Sequence, residues 1–534
     1  MDTPNKKGEG THRRTRRRTR SEEKEKSPPA FPLVACLAGA VTLVSLFLLF
    51  SSTAVPVAPL PEVGSAAAGK NDFGIPARLR KRLSTDVAPV GEAAPGRPLP
   101  LSPSENPMSL EEIISYLRNW LRDLHQMFVE QKHSSHVDIW KAYAELTERT
   151  LYKWDREYLR RMPPRRDDGS IFLSLASYRD ENCPNTIKWA FEKSKEPEKL
   201  FVGLVQQNCE AQCRTGVLVG GAIEDTDPDP DCHAIFCAST DGKKHCDAGH
   251  VRVLRINETE SLGPYAGRYF ASKLWYGEQW YMQIDSHMTF AQDWDATSLE
   301  MMNAAPSEKP VLSHYPPPET VNFAKAAEMP AARLCGPVFA DSDLEAQIIR
   351  LEGLSNYDQH KQKVPKFAPF TAAGYFVAHS EFLKEVPFDP FLPWIFMGEE
   401  VIMSARLWTH GYDIFSPTVA VVGHIYVRRH KPKFWETVHR VFAYGIHTPL
   451  QLLVLDRVKF LMRYPEAARD MISIKSILAH VEEYAMGDVR TVDQYLEFAG
   501  LDMIKKRTYQ DSKHWCKTGH VPPGFEQYKD LYTY

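Results

Sequence analysis

The sequence lacks a strong charge of either sign. Sixty-five Lys and Arg face 68 Asp and Glu, a formal net charge of −3 over 534 residues. A general nucleic-acid binder usually shows a basic bias, so no nucleic-acid partner is expected. Cysteine is sparse. Nine in the whole chain are too few for a small disulfide scaffold. No G-x-G-x-x-G follows the first strand-like segment, which disfavours a dinucleotide fold. After the first hundred residues no segment sustains eighteen uncharged apolar residues, so a second membrane span is excluded. What remains is an ordinary balance, 43% hydrophobic and 25% charged. That balance excludes a chain disordered or collagen-like throughout, and the length suggests about three domains.

The averages conceal a polarised N-terminus. Residues 1–30 carry ten Lys or Arg and five Asp or Glu, with a basic core from Arg13 to Arg20. An uncharged stretch from Ser27 to Pro61 follows, apolar from Phe31 to Phe50. Twenty helical residues span about 30 Å, the thickness of a hydrocarbon core. A cleaved signal peptide usually has a shorter apolar segment and a shorter basic region. The expected plan is a cytosolic basic tail (1–30), a transmembrane signal anchor (31–52) and a lumenal remainder, a single-pass type II protein. Residues 53–107 are rich in Pro, Ala, Gly and Ser. They cannot bury a core and suggest a disordered stem. Such a plan fits a secretory-pathway enzyme held at an ER or Golgi membrane.

From residue 108 the pattern turns helical. Leu110, Ile114, Leu117, Leu121, Leu124 and Phe128 follow a 4-3-4-3-4 spacing, one apolar stripe. A second amphipathic stretch carries Trp140, Tyr143, Leu151, Trp154 and Tyr158 and ends at Pro163-Pro164. The helical stem region (108–164) either packs on the next domain or pairs with a second copy as a homodimer. A catalytic domain is expected at 165–460 and a helical extension at 461–534.

Within that domain, Ile171–Tyr178 suggests a buried strand, Thr186–Ser194 a helix and Leu200–Val205 another buried strand. A βαβ unit of this kind predicts an α/β fold with a parallel sheet. Val251–Ile256 is a further strand candidate. Ligands of such sheets bind at the carboxyl ends of the strands, where Ser177-Tyr178-Arg179-Asp180 lies.

The sharpest local signal is Trp280–His287. An aromatic strand ends in Asp285-Ser286-His287. Side chains two apart on a strand point the same way, so Asp285 and His287 can reach one cation. A carboxylate with an imidazole suits a first-row divalent ion. Such an ion stabilises a departing diphosphate as a Lewis acid. Upstream, Arg268 and Lys273 are cations on an otherwise apolar helix and can pair with phosphates or acids. Downstream, Glu399 and Glu400 open a helix, where the dipole favours anions. One of them is a candidate to face the sugar or the acceptor hydroxyl. His424, after a Gly, is a candidate third metal ligand.

Cys209, Cys213, Cys232, Cys237 and Cys246 crowd together with spacings of x3, x18, x4 and x8. Zinc sites usually show closer pairs. In a lumenal domain disulfides are the more economical reading, with Cys183 or a more distant cysteine completing an odd number. The acidic run Glu224–Asp231 suggests a solvated loop; it lacks the Gly and final Glu of an EF-hand. Asn257-Glu258-Thr259 is the one sequon for N-glycosylation.

Taken together, Ile171–Asp180, Cys183–Thr186, Ala271–Asp295, Gly398-Glu399-Glu400, Gly423-His424 and Thr491–Gly500 resemble the polypeptide N-acetylglucosaminyltransferase family. The Gly398–Arg428 block is similar in part to the polypeptide N-acetylgalactosaminyltransferases, with Glu400 where an Asn is usual. No ricin-like lectin tail follows. The resemblance implies a GT-A fold, a Rossmann-like mixed sheet flanked by helices. It implies a retaining transfer of GlcNAc from UDP-GlcNAc to a Ser, Thr or hydroxyproline hydroxyl of an acceptor glycoprotein or peptide. It also implies Asp285, His287 and His424 as Mn²⁺ ligands, Ser177, Tyr178 and Arg179 near the nucleotide with Arg268 and Asp285, and Glu399 or Glu400 near the acceptor. The alternatives are UDP-GalNAc or another UDP-sugar as donor, a metal-dependent nucleotide-sugar hydrolase, and a non-catalytic lumenal sugar- or peptide-binding protein.

Overall fold

A computed structural model describes residues 106–213, 226–326, 331–340, 348–351, 363–428, 431–438, 441–443 and 445–508. The expected tail (1–30) and anchor (31–52) lie outside the described residues, as do nearly all of the stem (53–107) and the chain beyond 508. Among the described residues no helix is long and apolar enough to cross a membrane.

The strands among the described residues, in chain order, are β1 (Ile171–Tyr178), β2 (Leu200–Asn208), β3 (Val251–Asn257), β4 (Trp280–Asp285), β5 (Met288–Phe290), β6 (Pro310–Ser313), β7 (Pro337–Phe339), β8 (Ile349–Leu351), β9 (Lys366–Phe367), β10 (Tyr375–His379), β11 (Asp413–Ser416), β12 (Val422–His424), β13 (Leu501–Asp502) and β14 (Arg507–Thr508). Eight of them form one sheet in the order β3-β2-β1-β4-β10-β6-β11-β9. The half from β3 to β4 is parallel. β10 runs antiparallel to both of its neighbours, β4 and β6. The helix Cys183–Lys193 makes the crossover from β1 to β2, as the βαβ pattern predicts. Both faces of β1 are covered, which is why its sequence is a near-continuous apolar run. Phe172 faces one core, and Ile171, Leu173 and Leu175 face the other.

The first of those cores also takes in the helices that precede β1. Leu110–Glu130 is capped by the Ser109 hydroxyl, which accepts from the Glu112 amide at 3.1 Å. It buries Ile113, Leu117, Trp120, Leu121, Leu124 and Phe128. The buried face is rotated from the expected stripe. Ile113 and Trp120 turn inward, while Leu110 and Ile114 are only half-buried, because Trp120 packs on Phe270 and Tyr143. These side chains belong to the same core as Tyr265, Tyr269 and Trp275. Residues 108–164 are therefore a layer of the globular unit and not a separate stem. Of the stripe, Leu117, Leu121, Leu124 and Phe128 are buried within the chain.

Three disulfides staple the segment around β2 and β3: Cys183–Cys232, Cys209–Cys213 and Cys237–Cys246. Cys183 joins the five crowded cysteines. His233, Cys237 and Cys246 converge as a metal-sized cluster, but the two sulfurs are bonded to each other, so zinc has no thiolates there. The acidic run also departs from expectation at its described end. Asp229 is not solvated: its carboxylate is fully buried against Arg179 and Lys431. Asn257 caps a short 3-10 turn, its Oδ1 accepting from the Thr259 amide at 3.1 Å and hydroxyl at 2.8 Å.

Candidate metal centre

The site forms where the parallel strands end. Ala176 near the end of β1 pairs with Asp285 at the end of β4. Two residues on, His287 follows. β12 then lays His424 opposite Met288 of β5, which brings the second histidine beside Asp285. That pairing is tight at Gly423. A Cβ there would lie 2.6 Å from the Thr289 hydroxyl, a separation no side chain tolerates. Asp285, His287 and His424 each offer a ligand atom, and these atoms all lie within 4.8 Å of one another. The His424 Nε2 stands 3.1 Å from Asp285 Oδ2. One carboxylate and two imidazoles converging at this distance fit a first-row divalent cation.

Arg268 closes the site from beneath. One amino group donates to Asp285 Oδ1 at 2.7 Å, and the other is hydrogen-bonded to Glu399 Oε2. The guanidinium is buried between two carboxylates. Burial works against the charge on Asp285. The hydrogen bond from His424 and the charges of Arg268, His424 and His287 outweigh it and hold the carboxyl far below the usual range. Asp285 is thus an anion at neutral pH. Glu399 differs. Burial is the largest influence and pushes its carboxyl up to about 7, with Arg268 opposing and the nearby Glu400 and Asp285 reinforcing. Its Oε1 is buried with no hydrogen-bond partner. A carboxyl poised near neutrality with an open oxygen suits a group that holds and releases a proton.

Glu400 is held in place by the Tyr315 hydroxyl at 2.7 Å and the Ala373 amide at 2.9 Å. Its carboxyl is also raised, by burial first. Gly374, which follows Ala373, approaches the Asp285 carboxylate closely. A Cβ there would lie 2.7 Å from Asp285 Oδ2. No pattern in the sequence marks that glycine, and Tyr315 was equally silent.

The β1 terminus lies beside the histidines. Ser177 is buried with its hydroxyl unpartnered. The Tyr178 hydroxyl is engaged by Thr437. Arg179 is fully buried, with its Nε donating to Asp229 at 2.8 Å. Through that pair Arg179 braces the end of β1. Lys273 is engaged within the core. It is buried on Asp155 at 2.5 Å, between the rings of Tyr158 and Tyr269. The residue the sequence had not singled out is Asp180. Burial again opposes its charge, but the hydrogen bond from His287 and the charges of His287 and Arg428 hold its carboxyl down at about 2.

Comparison with known proteins gives a family and a loose structural likeness. The sequence model of the family described as glycosyltransferase (GlcNAc) matches residues 170–505. Among solved structures, GalNAc-T7 with UDP, GalNAc and Mn²⁺ matches at 15% identity and a TM-score of 0.35, over 61% of this chain and 56% of that one. TarS residues 1–349 from S. aureus, in complex with UDP-GlcNAc, match at 12% identity and 0.31, over 66% of this chain and 92% of that one. The chain thus spans just over half the length of the first. Among curated proteins none matches by sequence.

Proposed function

The chain belongs to the glycosyltransferase (GlcNAc) family, and from that premise we propose that it moves GlcNAc from UDP-GlcNAc to a Ser, Thr or hydroxyproline hydroxyl of a protein, with a divalent cation such as Mn²⁺. The reading includes a retaining reaction on a GT-A-type sheet. The observation that carries it is the convergence of Asp285, His287 and His424 at the carboxyl ends of β1 and β4, with Arg268 and Glu399 behind them.

A cation held by those three side chains would offset the negative charge that gathers on a leaving diphosphate. The chain's own groups do the rest. Arg268 keeps Asp285 ionised and anchors Glu399 through one carboxylate oxygen, leaving Oε1 open. Glu399 is placed to hold a proton near the acceptor or a sugar hydroxyl. Tyr315 and the Ala373 amide fix Glu400, so the first turn of the helix Glu399–Thr409 keeps one orientation. Among the described residues no side chain in the site stands as an evident nucleophile, so front-face attack by the acceptor is the expected course.

Full-length protein in detergent, given Mn²⁺, Thr-rich peptides and a panel of UDP-sugars, should transfer GlcNAc and lose that activity with EDTA. Transfer of another sugar would shift the donor and keep the site. No turnover of any UDP-sugar by folded protein would sink the reading in favour of a binding protein.

The same proposal places the enzyme in a Golgi or ER membrane, anchored by residues 31–52 with its catalytic unit lumenal. The basic run, the twenty apolar residues and three disulfides support that orientation. In sealed microsomes the catalytic unit should resist added protease until detergent is present. Cleavage without detergent would overturn it.

A further inference from the structure

We propose that Asp180 is a positioning residue for the metal. It fixes which nitrogen of His287 is the ligand, and it fastens the segment carrying His424 to the end of β1. The inference rests on the metal-dependent reading above and names a residue which that reading does not require.

Three donors converge on one oxygen of this buried carboxylate. Asp180 Oδ2 lies 2.5 Å from His287 Nδ1, 2.6 Å from the Ser286 hydroxyl and 3.2 Å from an Arg428 amino group. The other oxygen, Oδ1, accepts from the Asn182 amide at 3.0 Å. An ionised carboxylate is an acceptor only. Nδ1 of His287 therefore donates to Asp180, which leaves Nε2 as the ring nitrogen that would face a cation. Ligating histidines that donate their second N–H to a carboxylate gain basicity and a fixed ring orientation.

Arg428 extends the same control to the second histidine. It stands four residues past His424 and donates to the Tyr178 carbonyl at 3.1 Å as well as to Asp180. Both histidine-bearing segments thus meet on one carboxylate at the end of β1. The geometry of that end is itself imposed. Arg179 has a φ of 47°, a left-handed conformation unusual for a residue with a side chain. Such a conformation persists when its surroundings over-determine it. Here the Arg179 amide donates to the Gln207 carbonyl at 3.0 Å, and its guanidinium is locked on Asp229. Asp229 in turn is tied to the Cys209 amide at 2.7 Å and to Lys431 at 3.0 Å. The buried Asp229 carboxylate braces the turn that aims Asp180 at His287.

The test is Mn²⁺ affinity, read from the loss of the free-ion EPR signal on titration into full-length protein. Asp180→Asn keeps the shape and removes the charge. It should weaken Mn²⁺ binding by about 10- to 100-fold, with thermal unfolding in EDTA little changed. At saturating Mn²⁺ its turnover should return to within a few-fold of the parent. A merely structural role would instead lower the EDTA melting temperature and spare the affinity of whatever folds. Arg428→Gln, which leaves Asp180 in place, should weaken Mn²⁺ several-fold and decides the matter if Asp180→Asn does not fold. A folded Asp180→Asn that binds Mn²⁺ as tightly as the parent would overturn the inference alone. A parent that binds no Mn²⁺ would overturn the metal reading beneath it.

Discussion

Asp285→Asn is expected to cut transfer by about 10³-fold or more while the protein remains folded. Asn preserves the volume and removes the anion. One oxygen of Asp285 faces His424 and the other faces Arg268, so an amide must present its N–H groups to one of two donors. The proposed metal centre would lose the one carboxylate among its three described ligands, and the charge stabilisation at stake is several kcal/mol. At about 1.4 kcal/mol per decade that is roughly three powers of ten. The measurement is kcat/KM at saturating Mn²⁺, with melting temperature followed in parallel. Retention of a tenth or more of parental turnover would show that the reaction does not depend on this carboxylate. An equal loss in Glu400→Gln would not discriminate, because Glu400 orders a helix terminus through Tyr315 and Ala373.

Asp285 was legible in the sequence because the chemistry and the local pattern coincide. An apolar strand announces itself, and Asp-x-His at its end is a feature of three adjacent residues. β1, β2 and the crossover helix were legible for the same reason: continuous apolar runs are what two-sided burial requires. His424 was less so. Only its conjunction with Asp285 and His287 lifted it, since β5 and β12 pair across more than a hundred residues. Asp180 lay inside a quoted motif, yet its partner His287 is 107 residues away, and no periodicity encodes that distance. The acidic run failed for a related reason. Composition alone marks Asp229 as solvated. Its burial depends on a cation 50 residues before it and another two hundred after it. The helix Leu110–Glu130 shows a subtler limit. Periodicity located the helix but set its face partly on Leu110 and Ile114, because a 4-3 spacing tolerates either flank. The tryptophan that decided the rotation needed Phe270 and Tyr143 to pack against.

The burial of the N-terminal helices carries the largest expected effect on stability, at Asp155. Asp155→Ala should destabilise the protein by about 3–5 kcal/mol, the usual cost of leaving one member of a buried ion pair alone. Asp155 lies on the helix Tyr152–Arg160, and its partner Lys273 follows the helix Pro264–Ser272. The carboxylate meets Lys273 Nζ at 2.5 Å and also accepts from the hydroxyls of Tyr269 at 3.1 Å and Tyr484 at 3.4 Å. The ammonium has no solvent; the rings of Tyr158 and Tyr269 lie over it at 4.7 and 4.5 Å. Burial already lowers the affinity of Lys273 for its proton, and Asp155 opposes that shift. Without Asp155 the opposition is gone and the folded value falls further below 10.5. Across the window between that value and 10.5 the unfolded chain then binds more protons than the folded one, so stability rises with pH. The variant should therefore regain stability from pH 7 toward pH 10, more steeply than the parent, in urea titrations at several pH values. Asp155→Leu with Lys273→Met should recover most of the loss, because apolar side chains of similar volume often replace a buried ion pair without penalty. The recovery should fall short by the two tyrosine hydroxyls left without an acceptor. If Asp155→Ala changes stability by less than 1 kcal/mol, residues 108–164 are an appendage after all. A full loss, with the rescue, makes them part of the core on which β1 and the site at its end are built.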